Sequence, residues 1–594
     1  MTTTERAYEY IHGCHIPYLE DGTDAVIVKV HMHEPDGTVV PKLKLEDKLI
    51  RPYWLTKPQC RNHEFKKEWE LVKNLDRYDV PNYRLEDELS NSLNGPTYGR
   101  SRRRGLTDLC SSPYVYGADM HIECLLKKKY QVEFAKSGKS ITKTTSGFLD
   151  IETDMFDGKG HTPNIISVTH ENKVYTAILD KFFVMPNGDG TFRRGNLEEF
   201  KILAKETLDH HILELLTEHT KKHKKSPLLK RLAASPFEYE YYIGETPLSL
   251  IQWIFSKIHE NKTDFIGIWN LDFDIPKIMN EIKNSGARWE DIFCPPELPK
   301  KYRYVKYARD EKEAADIYKK WHWLHATSYS QFIDSMCLYR ILRTVKGIET
   351  GGMSLDNVLK GNDLGGKLTF KDDDPATDDM SGADWHRHMQ RNEAYKYIMY
   401  NQFDVISIQL MEWKNDDLGS MNVLGGISRL CKWTRQTRKV SDALYFDALE
   451  AEEPMVTASP GSKDVMFTKY DALMQKVGGA VLRPERTTNI GLRIFSDRPD
   501  IVTFLHNFVS DVDFTGMYPN ADVVANISKE TKISSAVQIE GFSKGATQNF
   551  YSLMISVHEN AVLIGSTYFN LPTYETMDSK FETYLKGNRE FAPR

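Results

Sequence analysis

The sequence predicts a multidomain α/β protein, and three observations carry that prediction. The chain has 594 residues, enough for about three or four domains. From Ser146 to about Lys414, short apolar, β-rich runs alternate with segments of helical periodicity. The flanks differ: strand-like runs and polar loops precede this stretch, and a helical segment followed by strand-like segments comes after it.

Residues 1–145 read as a mixed α/β N-terminal domain, with a strand-like run at Ala25–His31 and a loop-rich end at Asn91–Thr107. Residues 146–414 form the central α/β domain. Residues 415–485 read as a connecting segment that can complete the N-terminal domain, ending near the Gly478-Gly479 step. A strand-rich region, 486–594, follows. No internal repeat or long low-complexity linker is present.

Composition narrows the class. With 40% apolar and 27% charged residues, the chain resembles an ordinary globular protein. The Met-Thr-Thr-Thr-Glu start has no apolar signal region, and no run approaches the roughly 18 apolar residues of a membrane span. The expected location is therefore cytoplasmic. Seven scattered cysteines without a CxxC pair argue against a disulfide framework and against structural zinc.

A net charge of −6 gives no global field for nucleic acid, so any contact would use local basic surface. Four runs qualify: Arg100–Arg104, Lys127–Lys129, Lys221–Lys225 and Lys300–Arg309. Each alone is commonly a solvated loop. In the last, Tyr302, Tyr304 and Tyr307 alternate with cations, a pattern suited to base stacking with phosphate contact and equally to a plain exposed strand or helix.

Three carboxylate segments carry the chemistry. In Phe148-Leu-Asp-Ile-Glu-Thr153, strand alternation places Asp150 and Glu152 on one face and Leu149 and Ile151 on the other. Runs at Ile165–Thr169 and Val174–Leu179 continue it as three consecutive antiparallel strands. Such alternation is also common on solvated strand faces. In Phe265–Asp274, a buried strand ends at Asn270 and a helix begins, with Asp274 at the N-cap and Pro276 near the first turn. Asn284–Gly286 supplies its stop. Asp274 can be a cap, a ligand or both. In a helix from about Arg391 to Lys414, Tyr400 and Asp404 share a face at i,i+4, as packing and solvated residues or as site residues.

The ordered trio is more specific than its parts, because two-metal attack on a phosphodiester needs carboxylates converging on cations roughly 4 Å apart. These segments resemble the three exonuclease motifs of family B DNA polymerases, as do Phe332–Met336 and Ser354–Val358 between them. The resemblance implies an RNase H-like 3′→5′ exonuclease domain. Asp150, Glu152, Asp274 and Asp404 would hold two Mg²⁺ ions, Tyr400 would orient the attacking water, and Asn270 and Phe273 would contact the primer 3′ end.

Downstream, Asp511 to Asn520 (DVDFTGMYPN) resembles palm motif A of the same family. It implies the start of a ferredoxin-like palm in which Asp513 binds catalytic metal, the backbone at Thr515, Gly516 and Met517 meets the dNTP, and Tyr518 excludes a 2′-hydroxyl. Gly516, Met517 and Asn520 depart from the commonest pattern. Gly478–Val481, Asn526–Thr531, Pro113–Asp119 and the N-terminal layout resemble replicative polymerases of tailed bacteriophages.

The fingers lysine motif and the Asp-Thr-Asp hairpin are absent from the sequence, and Arg589 is at most the start of a fingers helix. The resemblance therefore implies one subunit of a split polymerase, or a truncated copy. It would polymerise, with two further Mg²⁺ ions, only beside a second polypeptide carrying the fingers, remaining palm and thumb. Expected partners are primer–template DNA, single-stranded 3′ ends, dNTPs, that polypeptide and a sliding clamp reached through it. A stand-alone exonuclease and a catalytically silent nucleic-acid-binding protein are the alternatives.

Overall fold

The computed structural model describes residues 6–61, 69–94, 105–110, 112–157, 160–187, 191–310, 316–345, 352–370, 380 and 382–450, with strands at 454–456, 533–538, 551–557 and 560–567. The chain divides into two compact units, Met1–Ser462 and Lys463–Arg594.

The first unit is mixed α/β and centres on an eight-stranded mixed sheet. Its strands are β1 (Ser146–Thr153), β2 (Pro163–His170), β3 (Lys173–Leu179), β4 (Glu238–Gly244), β5 (Phe265–Ile268), β6 (Val305–Ala308), β7 (Trp323–Ala326) and β8 (Gln331–Asp334). They lie in the order β4-β3-β2-β1-β5-β8-β7-β6. As expected, β1, β2 and β3 are consecutive and antiparallel. β5 runs parallel to β1, and β8 parallel to β5.

Helices α1 (Leu197–Lys222), α2 (Pro247–Asn261), α3 (Leu271–Asn284), α4 (Ser335–Val345), α5 (Leu355–Gly361), α6 (Gly382–Asn392) and α7 (Ala394–Asn415) accompany the sheet. Alternation along β1 decides which face meets which helices. Leu149 and Ile151 join Ile254 and Ile258 of α2 and Ile275 and Ile278 of α3 in one core. Phe148 joins Leu208 of α1, Leu338 of α4 and Phe403 of α7 in another. Each fully buried Leu, Ile or Phe contributes roughly 1.5–3 kcal/mol, so a one-residue slip of β1 would exchange the two faces at large cost. Gly147 lets β2 approach closely, since a methyl there would overlap the Thr169 carbonyl.

Helix α2 starts where the sequence signals it: Thr246 and Ser249 form a capping box, with Pro247 in the first turn. Helix α7 contains neither Gly nor Pro, is buried along almost its whole length, and ends at Asp416 in the left-handed region (φ 53°). It begins at Ala394, three residues later than expected, because a break at Glu393 separates it from α6.

The N-terminal strands Ala7–Ile16, Ala25–His33 and Val39–Glu46 form an antiparallel sheet. Val26, Val28 and Val30 face the helix Ile122–Lys136, while Ala25 and Ile27 share the core of Leu149 and Ile151. On the latter side Lys29 pairs with Asp264 at 2.6 Å. The boundary expected at residue 145 therefore lies inside one compact unit. So does that at 414, because Tyr445 and Phe446 pack on Trp54 and Tyr116, and Pro454–Val456 pairs with Trp69–Leu71.

One reading of a basic run is corrected. Lys127 is not solvated: it is buried on the helix Ile122–Lys136 with its ammonium 5.7 Å from the Tyr10 ring, and burial lowers its pKa to about 8. In Lys300–Arg309, Tyr302, Tyr304 and Tyr307 are half-buried, each packing against the core, while Lys300, Lys301 and Lys306 are exposed. Lys222 and His223, from Lys221–Lys225, both pair with Asp363. Arg100–Arg104 lies outside the described residues.

In the second unit, Ile533–Gln538, Tyr551–Val557 and Asn560–Thr567 form an antiparallel sheet. Asp513, Thr515, Gly516, Met517 and Tyr518 lie outside the described residues, as do Gly478–Val481, Asn526–Thr531 and Arg589. Among the described residues, no helix is long and apolar enough to cross a membrane.

Candidate metal centre

The carboxylates of Asp150, Glu152 and Asp404 meet where β1 crosses α7. One oxygen from each lies within 4.8 Å of the others, an arrangement able to hold a metal ion. Asp274, on α3, is not one of these three; it is buried, is the largest charge acting on Asp150, and interacts electrostatically with Glu152.

Its place on the helix differs from expectation. Asn270, not Asp274, is the N-cap, and Asp274 is the fourth helical residue, with Pro276 further inside the helix. The first turn closes through Asn270 carbonyl bonds to the amides of Phe273 and Asp274. Asp274 is thus carried on an already formed turn, leaving its carboxylate free for the site. Asn270 makes no side-chain cap bond, and its Oδ1 is buried without a partner. Phe273 is 46% exposed, and Lys277 Nζ lies 3.4 Å above its ring.

Burial and mutual repulsion set the electrostatics. Burial, then Asp274, Asp404 and Glu152, push Asp150 well above the usual carboxylate range. Burial raises Glu152 to about 7, and burial with the Glu152 charge holds Asp274 well above its ordinary value. Burial also raises Asp404, against the opposing pull of Lys367.

Lys367 is the residue that sequence reasoning missed. Its Nζ donates to Asp404 Oδ2 and to the Tyr400 hydroxyl, both at 2.6 Å. Burial opposes its charge, but Asp404, Asp150 and Glu152 outweigh it and raise its pKa. A lone lysine after two glycines has no periodic signal. Its placement comes from Asp356, in the segment singled out at Ser354–Val358, whose Oδ1 accepts the Lys367 amide at 3.0 Å. The Tyr400 hydroxyl donates a hydrogen bond to Asp404, and burial keeps it protonated.

Helix α7 supplies further contacts that its spacing could have signalled, since positions 397, 400, 401 and 404 share one face. Tyr397 donates to Glu152, and Asn401 Nδ2 donates to Asp150 Oδ2 at 2.7 Å. Asp334, in the segment Phe332–Met336, closes β8 beside Asp274; burial raises it to about 7, and its Oδ1 accepts the Cys337 amide.

Two features fit a divalent cation. Asp404 Oδ1 is buried with no hydrogen-bond partner, which is costly unless something else satisfies it. The donor set is entirely carboxylate oxygen, which suits hard ions such as Mg²⁺ or Mn²⁺ rather than zinc. No family model and no curated protein matches this chain.

Proposed function

We propose that the chain is the exonuclease-bearing part of a family B DNA polymerase, hydrolysing the 3′-terminal phosphodiester of single-stranded or frayed DNA. The observation that carries this reading is the convergence of Asp150, Glu152 and Asp404, with the buried Asp274 acting electrostatically on Asp150 and Tyr400 bonded to Asp404. The run of β1, β2 and β3 with β5 parallel beside them supports an RNase H-like core for this domain.

Asp150, Glu152, Asp274 and Asp404 would hold two Mg²⁺ ions. Such ions supply Lewis-acid stabilisation of the leaving oxygen and a water of lowered pKa. The residues of the chain do the rest. The Tyr400 hydroxyl, fixed between Lys367 and Asp404, orients a water. Asn270 presents an unpartnered Oδ1, and Phe273 an exposed ring, to the 3′-terminal nucleotide. A silent binding protein is disfavoured, because Lys367 alone offsets only part of the repulsion among four clustered carboxylates, and a bound cation would offset the rest.

Polymerisation is proposed only for the assembly with a second polypeptide, in which Asp513 and Thr515–Tyr518 would serve the incoming dNTP with two further Mg²⁺ ions. Primer–template DNA would be the substrate and a sliding clamp an indirect partner. The exonuclease reading is tested with 3′-labelled single-stranded DNA. Release of labelled nucleoside monophosphate in Mg²⁺, and none in EDTA or with Asp404→Ala, is the expected outcome; metal-independent release would overturn it.

A further inference from the structure

Helix α7 presents two parallel rows to the carboxylates. Tyr400 and Asp404, four residues apart, line the centre itself. Tyr397 and Asn401, also four apart, each tie down one carboxylate of β1. We propose that Tyr397 and Asn401 are positioning residues that fix Glu152 and Asp150 in the orientation a divalent cation requires. This rests on the metal-centre reading above.

The bonding around Tyr397 has a definite direction. Its hydroxyl carries a single hydrogen, which goes to Glu152 Oε2. The phenolic oxygen must therefore accept from its other neighbours. His386 Nδ1 lies 2.8 Å away and Gln390 Nε2 3.3 Å away. Gln390 is itself held: its Nε2 donates to the Thr153 carbonyl at 2.8 Å, and its Oε1 accepts the Met155 amide at 3.0 Å. The chain of donors thus runs from α6 through Tyr397 to Glu152, and it is anchored on the end of the strand that carries Glu152.

The ring is fixed as firmly as the hydroxyl. Tyr397 stacks on Tyr400 with centroids 5.7 Å apart and planes 7° apart. Burial and the nearby Glu152 hold its hydroxyl well above the usual phenol range, so it remains a donor. Asn401 is fully buried, and its only hydrogen-bonded side-chain atom is the amide nitrogen on Asp150, since Oδ1 has no partner. Each neutral donor occupies one carboxylate oxygen and leaves the other for a ligand, as outer-shell partners of metal ligands do. Neutral donors suit this task. A second cation beside Lys367 would compete with the metal, whereas a hydroxyl and an amide orient the carboxylates without adding charge.

The test uses the full chain and Mn²⁺ alone, with binding followed by the electron paramagnetic resonance signal of free Mn²⁺. Tyr397→Phe keeps the ring and removes only the hydroxyl. The expected result is a Mn²⁺ dissociation constant about 10- to 100-fold weaker than wild type. The metal-free melting temperature should stay within a few degrees of wild type. Asn401→Leu is the companion variant, expected to weaken Mn²⁺ in the same way. A merely structural role would lower the melting temperature and leave affinity intact. Wild-type Mn²⁺ affinity in folded Tyr397→Phe would overturn the proposal. If the wild type binds no Mn²⁺ that Asp404→Ala removes, the metal-centre reading beneath it fails instead.

Discussion

Lys367 Nζ lies 2.6 Å from Asp404 Oδ2, so the chain's own ammonium sits at the edge of the carboxylate cluster. It offsets part of the repulsion among Asp150, Glu152, Asp274 and Asp404, and it holds Tyr400 through a second 2.6 Å bond. Replacing it with an apolar side chain of similar length removes both effects. Lys367→Met should lower stability by about 1–3 kcal/mol in EDTA at about pH 8, below the full cost of breaking a buried pair. The discount reflects a Lys367 side chain that keeps 21% of its surface in water. Chemical denaturation with and without Mg²⁺ measures this, and the loss should shrink when Mg²⁺ is present.

The raised carboxylates give a pH dependence whose sign follows from linkage. Glu152 is raised to about 7, and Asp150 and Asp274 stand well above their ordinary values. The folded state therefore binds more protons than the unfolded chain from the ordinary carboxylate range up to about 7. Stability falls as pH rises through that window. A bound cation replaces those protons. Calorimetry should show a larger Mg²⁺-induced rise in melting temperature at about pH 8 than at about pH 5.5. Asp334, also raised to about 7, contributes to the pH slope.

Close packing behind the centre gives a second structural test. A methyl at Gly267 would overlap the Phe148 ring and the Ser335 hydroxyl. Phe148 lies two residues before Asp150 on β1, so the shift would be transmitted along the strand. Gly267→Ala should destabilise by about 1–3 kcal/mol, as overpacked cores do. It should also lower the proposed nuclease activity, since small displacements of the carboxylates would be costly in rate. Thermal melting and a single-turnover assay on one preparation check both effects.

Much of this arrangement is legible in the sequence. Period-2 alternation over 148–153 places Asp150 and Glu152 on one face, because a strand with two cores beneath it cannot slip. The i,i+4 spacing of Tyr400 and Asp404 holds because α7 is unbroken between them. What stays hidden has physical causes. The start of α3 is masked because Asn270-Leu-Asp-Phe lacks a capping bond and reads as a loop. Lys367 comes from a glycine-flanked segment whose position depends on Asp356, a tertiary contact without a sequence period. Lys127 looks solvated within a run of three lysines, yet its aliphatic stem and the Tyr10 ring make it a buried residue.

The most direct test of the central claim is primer length on a gel. The purified chain is incubated with a 5′-labelled primer on a template, Mg²⁺ and all four dNTPs, beside Asp150→Ala. Stepwise shortening by the wild type, lost in Asp150→Ala, is the predicted result. An unshortened primer, or equal shortening by Asp150→Ala, would contradict the assignment of these carboxylates to 3′→5′ hydrolysis.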